Sequence, residues 1–313
     1  MTERRAAGAA GQAMTGLAMT GLARLAVHSW GVAGSVRDAG IVGRAGWGAP
    51  RGGAADVWSL GLANRLVGNI ATLAAFETSG GLDVEVLGAA VLAAVAGAEA
   101  DITVTRGPAV AWGTPTVLPV GARLRILRCR RGARTIVAVR GGLLPGAHGD
   151  DADDVDDVDD LDDVLVAVGP DPGAAVSLMP AVPMPRPERL IVWPGPRLDW
   201  FDEAAWRTLC TSAFEVAPAS NRVGVRLVGA RFHRTVTEEL VSEGMVEGAI
   251  QVPPSGHPIM MLADHPTTGG YPVIAVVDQS HLRHIAQLSP GDTVRFRAVA
   301  PWPRGGVDSD WRR

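Results

Sequence analysis

Glycine and proline interrupt this sequence so often, 39 and 22 times in 313 residues, that its regular elements must be short and joined by turns. Between the interruptions lie brief runs of branched and other apolar residues, at 84–87, 102–105, 122–127, 135–139, 189–192, 214–216, 226–227, 249–252, 258–262, 272–277 and 293–298. Runs of this length and spacing read as the strands of a barrel or sandwich. Three segments read as helices. Asp56 can cap a helix over 57–68, where Val57, Leu60, Ala63, Leu66 and Val67 follow helical spacing. Asp202 can cap 203–210, and 281–288 is a short helix that stops before the turn Pro290-Gly291-Asp292.

Composition breaks between about 145 and 188, first into the run DDADDVDDVDDLDD at 150–163 and then into the proline-rich MPAVPMPRPER. This marks a boundary between two mostly-β halves, expected at 25–182 and 188–300, with a disordered extension at 1–24 and a tail at 301–313. The aspartate run repeats a D-D-x unit. It lacks the glycine of a calcium loop and reads as a solvated surface loop. The first residues carry MTGLA twice and two early arginines, yet no clean apolar core of about 7–15 residues precedes a cleavage site. No run is long enough to suggest a membrane helix.

All 29 basic residues are arginine. Without lysine there is no Schiff base, no P-loop lysine and no residue to carry biotin or pyridoxal phosphate. Removing the ten aspartates of the acidic run from the net charge of −4 leaves a body near +6, suited to a small anionic substrate. No basic and aromatic residues interleave, which argues against nucleic acid. Cys129 and Cys210 lie far apart without a C-x-x-C spacing, so neutral free thiols in a reducing cytoplasm are expected. His281 and His284 have no third ligand, and no metal site is expected. No G-x-S-x-G elbow marks a serine nucleophile.

Two glycine-rich loops are candidates for chemistry. The first, 48–56, runs through Gly52 and Gly53 to Asp56 at a helix start, where backbone N–H groups could cradle an anion; an ordinary tight turn is the alternative. The second, 264–271, reads Asp-His-Pro-Thr-Thr-Gly-Gly-Tyr between two apolar runs. Asp264 at the end of a strand, facing a cleft, could have its pKa raised and act as a base, with His265 beside it. Thr267 and Thr268 offer hydroxyls, Gly269 and Gly270 let a backbone approach a ligand, and Tyr271 closes the loop. A simple Asx-type turn is again the alternative. Glu243 and Gln251 lie upstream and would face the same cleft if their strands pair.

Several ordered blocks carry a resemblance: GAPRGGAADVWSLGLANRLVGN followed by Glu77 and Gly80-Gly81; PGPRLDWF; SNRVGVRLVG; SEGMVEGAIQVPPSGHPIMMLADHPTTGGYPVIA; and QLSPGDTVRF. Over roughly residues 24–300 the chain resembles the biotin-dependent carboxyltransferase-like family. That family includes the C subunit of bacterial 5-oxoprolinase, the KipA proteins and the carboxyltransferase half of urea amidolyase. The resemblance implies a mainly-β protein with a cyclophilin-like barrel, working beside an A subunit, and a B subunit that is KipI-like. It implies ATP-driven opening of 5-oxo-L-proline to L-glutamate, with ATP handled by the complex and no biotin attached to this chain. A lactam is a poor electrophile, and phosphorylating its oxygen would expose the ring carbon to water. KipA-like antagonism of a kinase inhibitor, or carboxyl transfer to urea or a related amide, are the alternatives.

The chain departs from the family pattern at three places. Where the family reads QDxGR, this chain has Arg37-Asp38-Ala39-Gly40-Ile41; the aspartate run stands in place of a Gly-Ser-Arg-Ser-Thr block; and Pro266 replaces the usual glutamine. The resemblance therefore points to 264–271 as the better-kept site. It assigns catalytic roles to Asp264, His265 and Glu243, and substrate binding to Gln251, Thr267, Thr268, Gly269, Gly270, Tyr271, Gly52, Gly53 and Asp56.

Overall fold

A computed structural model describes residues 23–144, 163–165 and 187–299. Most of the N-terminal extension, most of the aspartate run, and the tail lie outside the described residues. The described part is mainly β, with three short helices: α1 (Val57–Leu66), α2 (Glu203–Thr211) and α3 (Leu282–Ile285). Ala23 is fully buried and a strand starts at Arg24, so the first half begins slightly earlier than the sequence suggested.

The first half is one curled eight-stranded sheet. Its strands are β1 (Arg24–Ser29), β2 (Ser35–Arg37), β3 (Ala75–Thr78), β4 (Gly80–Leu87), β5 (Val91–Thr105), β6 (Thr116–Leu118), β7 (Arg123–Val139) and β8 (Asp163–Leu165). The runs expected as separate strands at 122–127 and 135–139 are two ends of the 17-residue β7. Its first part pairs β4, its second part pairs β3, and β5 lies along both on the other edge. Asp163, the last residue of the acidic run, pairs with β1 together with Val164 and Leu165; the rest of the run lies outside the described residues.

The alanine-rich first part of β5 carried no strand expectation, because alanine has little intrinsic preference for sheet. Its small side chains suit the place it occupies. Ala93 and Val95 face one core, while Ala94 and Ala96 face Leu60, Ala63 and Leu66 of α1. Asp56 caps α1 as expected, accepting from the Ser59 N–H at 2.9 Å. Val57, counted with the apolar stripe, is 39% exposed because it sits on the first turn outside that contact.

The second half is a closed barrel of seven strands. Its nine strands in chain order are β9 (Leu190–Pro194), β10 (Ala213–Val216), β11 (Gly224–Val228), β12 (Glu243–Gly244), β13 (Ala249–Gln251), β14 (Ile259–Met261), β15 (Thr268–Gly269), β16 (Val273–Val277) and β17 (Thr293–Ala298). Around the barrel the order is β10, β11, β14, β13, β16, β9, β17, all antiparallel except the β17–β9 pair. Phe214 is buried in its core, 5.8 Å from Phe296 and 5.9 Å from Phe232 between ring centroids. Helix α2 covers β17 with Trp206 and Leu209 buried, and Asp202 caps it by accepting from Ala205 N–H at 2.7 Å. The helix expected at 281–288 is a 3₁₀ turn at Gln279–His281 followed by the single turn of α3. The remaining pair, β12 and β15, forms a two-stranded ribbon outside the barrel.

Candidate functional site

The two halves meet along a seam where four charged side chains are stacked. Asn221 accepts from the N–H groups of Val223 (3.0 Å) and Gly224 (3.2 Å), a side-chain turn that leads the chain into β11 and fixes Arg222 beside it. The Arg222 guanidinium donates to both oxygens of Asp264, at 2.7 and 3.2 Å, to Glu77 Oε1, and to the Gly53 carbonyl at 2.5 Å. Its backbone carbonyl accepts from the Asp264 N–H at 3.2 Å, so the two residues clasp one another twice. One arginine therefore gathers the first half's glycine loop, a strand of its sheet and the second half's candidate loop.

Glu77 is almost wholly buried, and its other oxygen accepts from the Ala55 N–H at 2.9 Å. Arg134 stands behind it, 3.8 Å from Glu77 Oε1, and donates across the seam to the Ala286 carbonyl. Burial pushes the Arg134 guanidinium's pKa below its ordinary value, and the Glu77 charge opposes that shift. Two cations and two carboxylates balance here, which is what lets buried charge persist. Gln287 ties the seam further: its oxygen accepts from Ala133 (3.0 Å) and Arg134 (3.1 Å) N–H, and its amide donates to Asp56 at 2.7 Å. Ala55, Ala263 and Ala286, all buried, let the backbones come close.

The 264–271 loop lies at the outer edge of this seam. Asp264 was expected to face a cleft in an apolar setting; instead a guanidinium occupies both its oxygens, and its side chain is 23% exposed. His265 is buried and its Nδ1–H donates to the Pro266 carbonyl at 2.8 Å, leaving Nε2 as the ring's other hydrogen-bonding atom. The expected pairing upstream does occur, with Glu243 opposite Gly269 and Gly244 opposite Thr268. The Glu243 carboxylate, however, is held by Arg197 at 2.8 Å. Gln251 Oε1 lies 3.5 Å from where a side chain on Gly269 would begin, so those two residues do share one side of the loop. Thr268 and Tyr271 are exposed, and Thr267 Oγ1 donates to the Gly48 carbonyl at 3.5 Å.

The first glycine loop thus touches the second. Gly53 takes φ +72°, and a side chain there would strike the Gly40 backbone nitrogen at 2.3 Å. Close packing of 38–40 against 51–54 requires glycine at this position. Arg51 locks the pair, donating to Ala39 (3.0 Å) and Ala54 (3.3 Å) carbonyls and reaching Glu247 of the second half at 3.0 Å. Asp56 differs from its expected role: Ser59 and Gln287 occupy both carboxylate oxygens, making it a helix cap and a seam tie. The residues given no role from the sequence are Arg51, Glu77, Arg134, Arg197, Arg222 and Gln287. All but Arg134 lie in, or were named with, the blocks that carried the resemblance, and that was the sequence signal available for them.

The chain matches the family model described as carboxyltransferase domain, subdomain A and B, over residues 47–149 and 160–298. It belongs to this carboxyltransferase-domain family. The first matched segment supplies the 48–56 loop, Glu77 and Arg134; the second supplies Arg222, Asp264 and Gln287. Among relatives, the 5-oxoprolinase C subunit of Escherichia coli is 33% identical over 284 residues, 84% of this chain and 87% of that protein. Urea amidolyase of Saccharomyces cerevisiae is 27% identical over 81% of this chain, but the match is only 16% of its own length. Among solved structures, TTHA0988 aligns with a TM-score of 0.74 and 31% identity, covering 90% of this chain and 57% of that one. The chain thus spans a little over half of that neighbour. Kluyveromyces lactis urea amidolyase has the same fold, with a TM-score of 0.75 at 24% identity over 88% of this chain.

Proposed function

We propose that this chain is the C subunit of an ATP-dependent 5-oxoprolinase, acting with partner subunits to open 5-oxo-L-proline to L-glutamate. The observation that carries the reading is the match to the Escherichia coli 5-oxoprolinase C subunit, which spans most of both chains. In this reading the seam is a rigid floor, and the 264–271 loop above it is the working surface. Asp264, held at two points by Arg222, is an oriented carboxylate, and His265 Nε2 is available beside it to accept or return a proton. The Thr267 and Thr268 hydroxyls and the Gly269-Gly270 backbone would hold the substrate's polar edges. Glu243 would act by holding Arg197 against the ribbon.

The surrounding surface supports a partner. Val42 (84%), Trp47 (86%), Val241 (84%) and Tyr271 are exposed apolar or aromatic residues in the segments that lead into or belong to the two loops. Exposed apolar side chains of this size suit a surface that a partner covers. ATP and any KipI-like partner belong to that assembled state. The match to urea amidolyase supports a second reading, carboxyl transfer to an amide nitrogen. Since the chain has no lysine, biotin would then arrive on another protein.

Co-expression with the neighbouring subunits, followed by an assay of ATP-dependent glutamate release from 5-oxoproline, tests the proposal. Glutamate release should require this chain, and Asp264→Asn should lower turnover by about 10²-fold or more. Undiminished release without this chain would refute the subunit reading. Full activity of Asp264→Asn would refute the site alone. Bicarbonate-dependent labelling of urea in the presence of a biotinylated partner would favour the second reading.

A further inference from the structure

Ile250 and Val252 both belong to the barrel core, so Gln251 between them points outward, toward the β12–β15 ribbon. Its cross-strand neighbours are Ile259 and Val273, which join Met245, directly after β12, in a small apolar cluster. Gln251 is only 9% exposed in this setting, yet among the described residues its carboxamide makes no hydrogen bond. Both of its polar atoms still reach solvent. Glycine leaves that approach open: a side chain on Gly269 would begin 3.5 Å from Gln251 Oε1 and would strike the Met245 methyl at 2.5 Å. Arg197 holds the ribbon in place, because its guanidinium engages both oxygens of Glu243, the residue paired with Gly269. Its own backbone N–H donates to the Val273 carbonyl at 3.1 Å, so the amide and the loop backbone share one rigid frame.

A nearly buried carboxamide without a partner leaves a donor and an acceptor unanswered, side by side on one planar edge. The group that answers both at once is another amide edge, with its N–H and C=O on the same side. A five-membered lactam is locked in that arrangement by its ring, and urea presents the same edge. An ordinary secondary amide is trans and turns the two groups apart. An ester or lactone has no N–H, and would set its own oxygen against the Gln251 oxygen.

We propose that Gln251 is the specificity-determining residue of the 264–271 surface, reading a cis amide edge through two parallel hydrogen bonds. Its oxygen accepts from the substrate N–H, and its amide donates to the substrate carbonyl, beside the Gly269 backbone. This role deepens the oxoprolinase reading and rests on it for the place of the substrate. Saturation-transfer NMR titrations of the full chain, alone and co-expressed with its partner subunits, test it with 2-pyrrolidinone, γ-butyrolactone and N-methylacetamide. The lactam should bind at least about tenfold more tightly than the lactone or the trans amide. Gln251→Met, close in volume, should abolish that preference. Gln251→Glu should keep only a remnant, since a carboxylate accepts from the N–H but cannot donate to the carbonyl. Without ligand, Gln251→Met should melt no lower than the parent, because no internal hydrogen bond is removed.

In the assembled complex Gln251→Met should raise the KM for 5-oxoproline by about tenfold or more, with a smaller change in kcat. Equal binding of lactam and lactone by the parent, an unchanged preference in Gln251→Met, a clearly lower melting midpoint of that variant, or no saturable lactam binding would overturn the proposal. If 5-oxoproline is not turned over while the lactam preference and its loss in Gln251→Met hold, the oxoprolinase reading fails and the Gln251 role stands.

Discussion

Arg222 shows how much can rest on one side chain. It engages two carboxylates and a backbone carbonyl contributed by three separate segments, with only 12% of its side chain exposed. Arg222→Met should destabilise the protein by about 3 kcal/mol in urea unfolding, because buried Glu77 would keep only the more distant Arg134 and the half-buried Asp264 would lose its guanidinium partner. Adding Glu77→Gln to that variant should recover part of the loss, since one orphaned charge is then removed. A simple packing role for Arg222 predicts no such recovery. Arg222 was legible in the sequence only as part of the SNRVGVRLVG block. Nothing in its local pattern marks it, since its partners lie at positions 53, 77 and 264. Asp264, in contrast, was found from its place after an apolar run. Its guanidinium neighbour was not, because the pairing exists only between distant segments.

Elements were more legible where a cap or a turn announces them locally. Asp56 and Asp202 both accept from the N–H three residues on, as their helix starts predicted. Asp56→Ala should cost about 1–2 kcal/mol, the usual worth of a cap, with a further loss from the freed Gln287 amide. Thermal melts of this variant beside Gln287→Ala would separate the two parts.

The 279–285 segment is held differently. His281 Nδ1 accepts from the Ile191 N–H at 3.0 Å, which joins the short helix to β9. Burial pushes its pKa below 6.5, against the pull of Asp278. The folded pKa is thus lower than the unfolded one. This contribution is complete above about pH 6.5 and is lost as pH falls through the folded value. Asp278, held at about 2 by Ser280 and Trp193, keeps its contribution until pH falls below about 4. Urea midpoints should therefore drop between about pH 7.5 and 5.5, and His281→Asn should reduce that drop. A pH response identical in parent and variant would rule out His281 as its source.

At the scale of the molecule, the seam couples a curled sheet to a closed barrel through Arg222, Arg134 and Gln287. The parent should unfold in one calorimetric transition, because separating the halves would break the Arg222 contacts to Glu77 and Gly53 and uncover the apolar contact at the seam. Combining Arg222→Met with Gln287→Ala should split that transition in two. A single peak in the double variant would mean that the apolar contact at Ala55, Ala263 and Ala286 suffices. Cys129 and Cys210, whose thiols burial pushes up in pKa, should stay unreactive toward mild alkylating agents until either half opens.

By itself the sequence determined the class of structure: many short strands, a few capped helices, arginine-only cationic chemistry, and two glycine loops worth inspecting. These follow from local rules, since capping, turn formation and strand alternation act over a few residues. Only the tertiary structure decided that the two loops touch, that Asp264 answers to Arg222, that Glu243 belongs to Arg197, and that Asp56 is a tie. Each of these is an electrostatic match between segments far apart in the chain. A single sequence carries no record of which distant charge a buried charge will find.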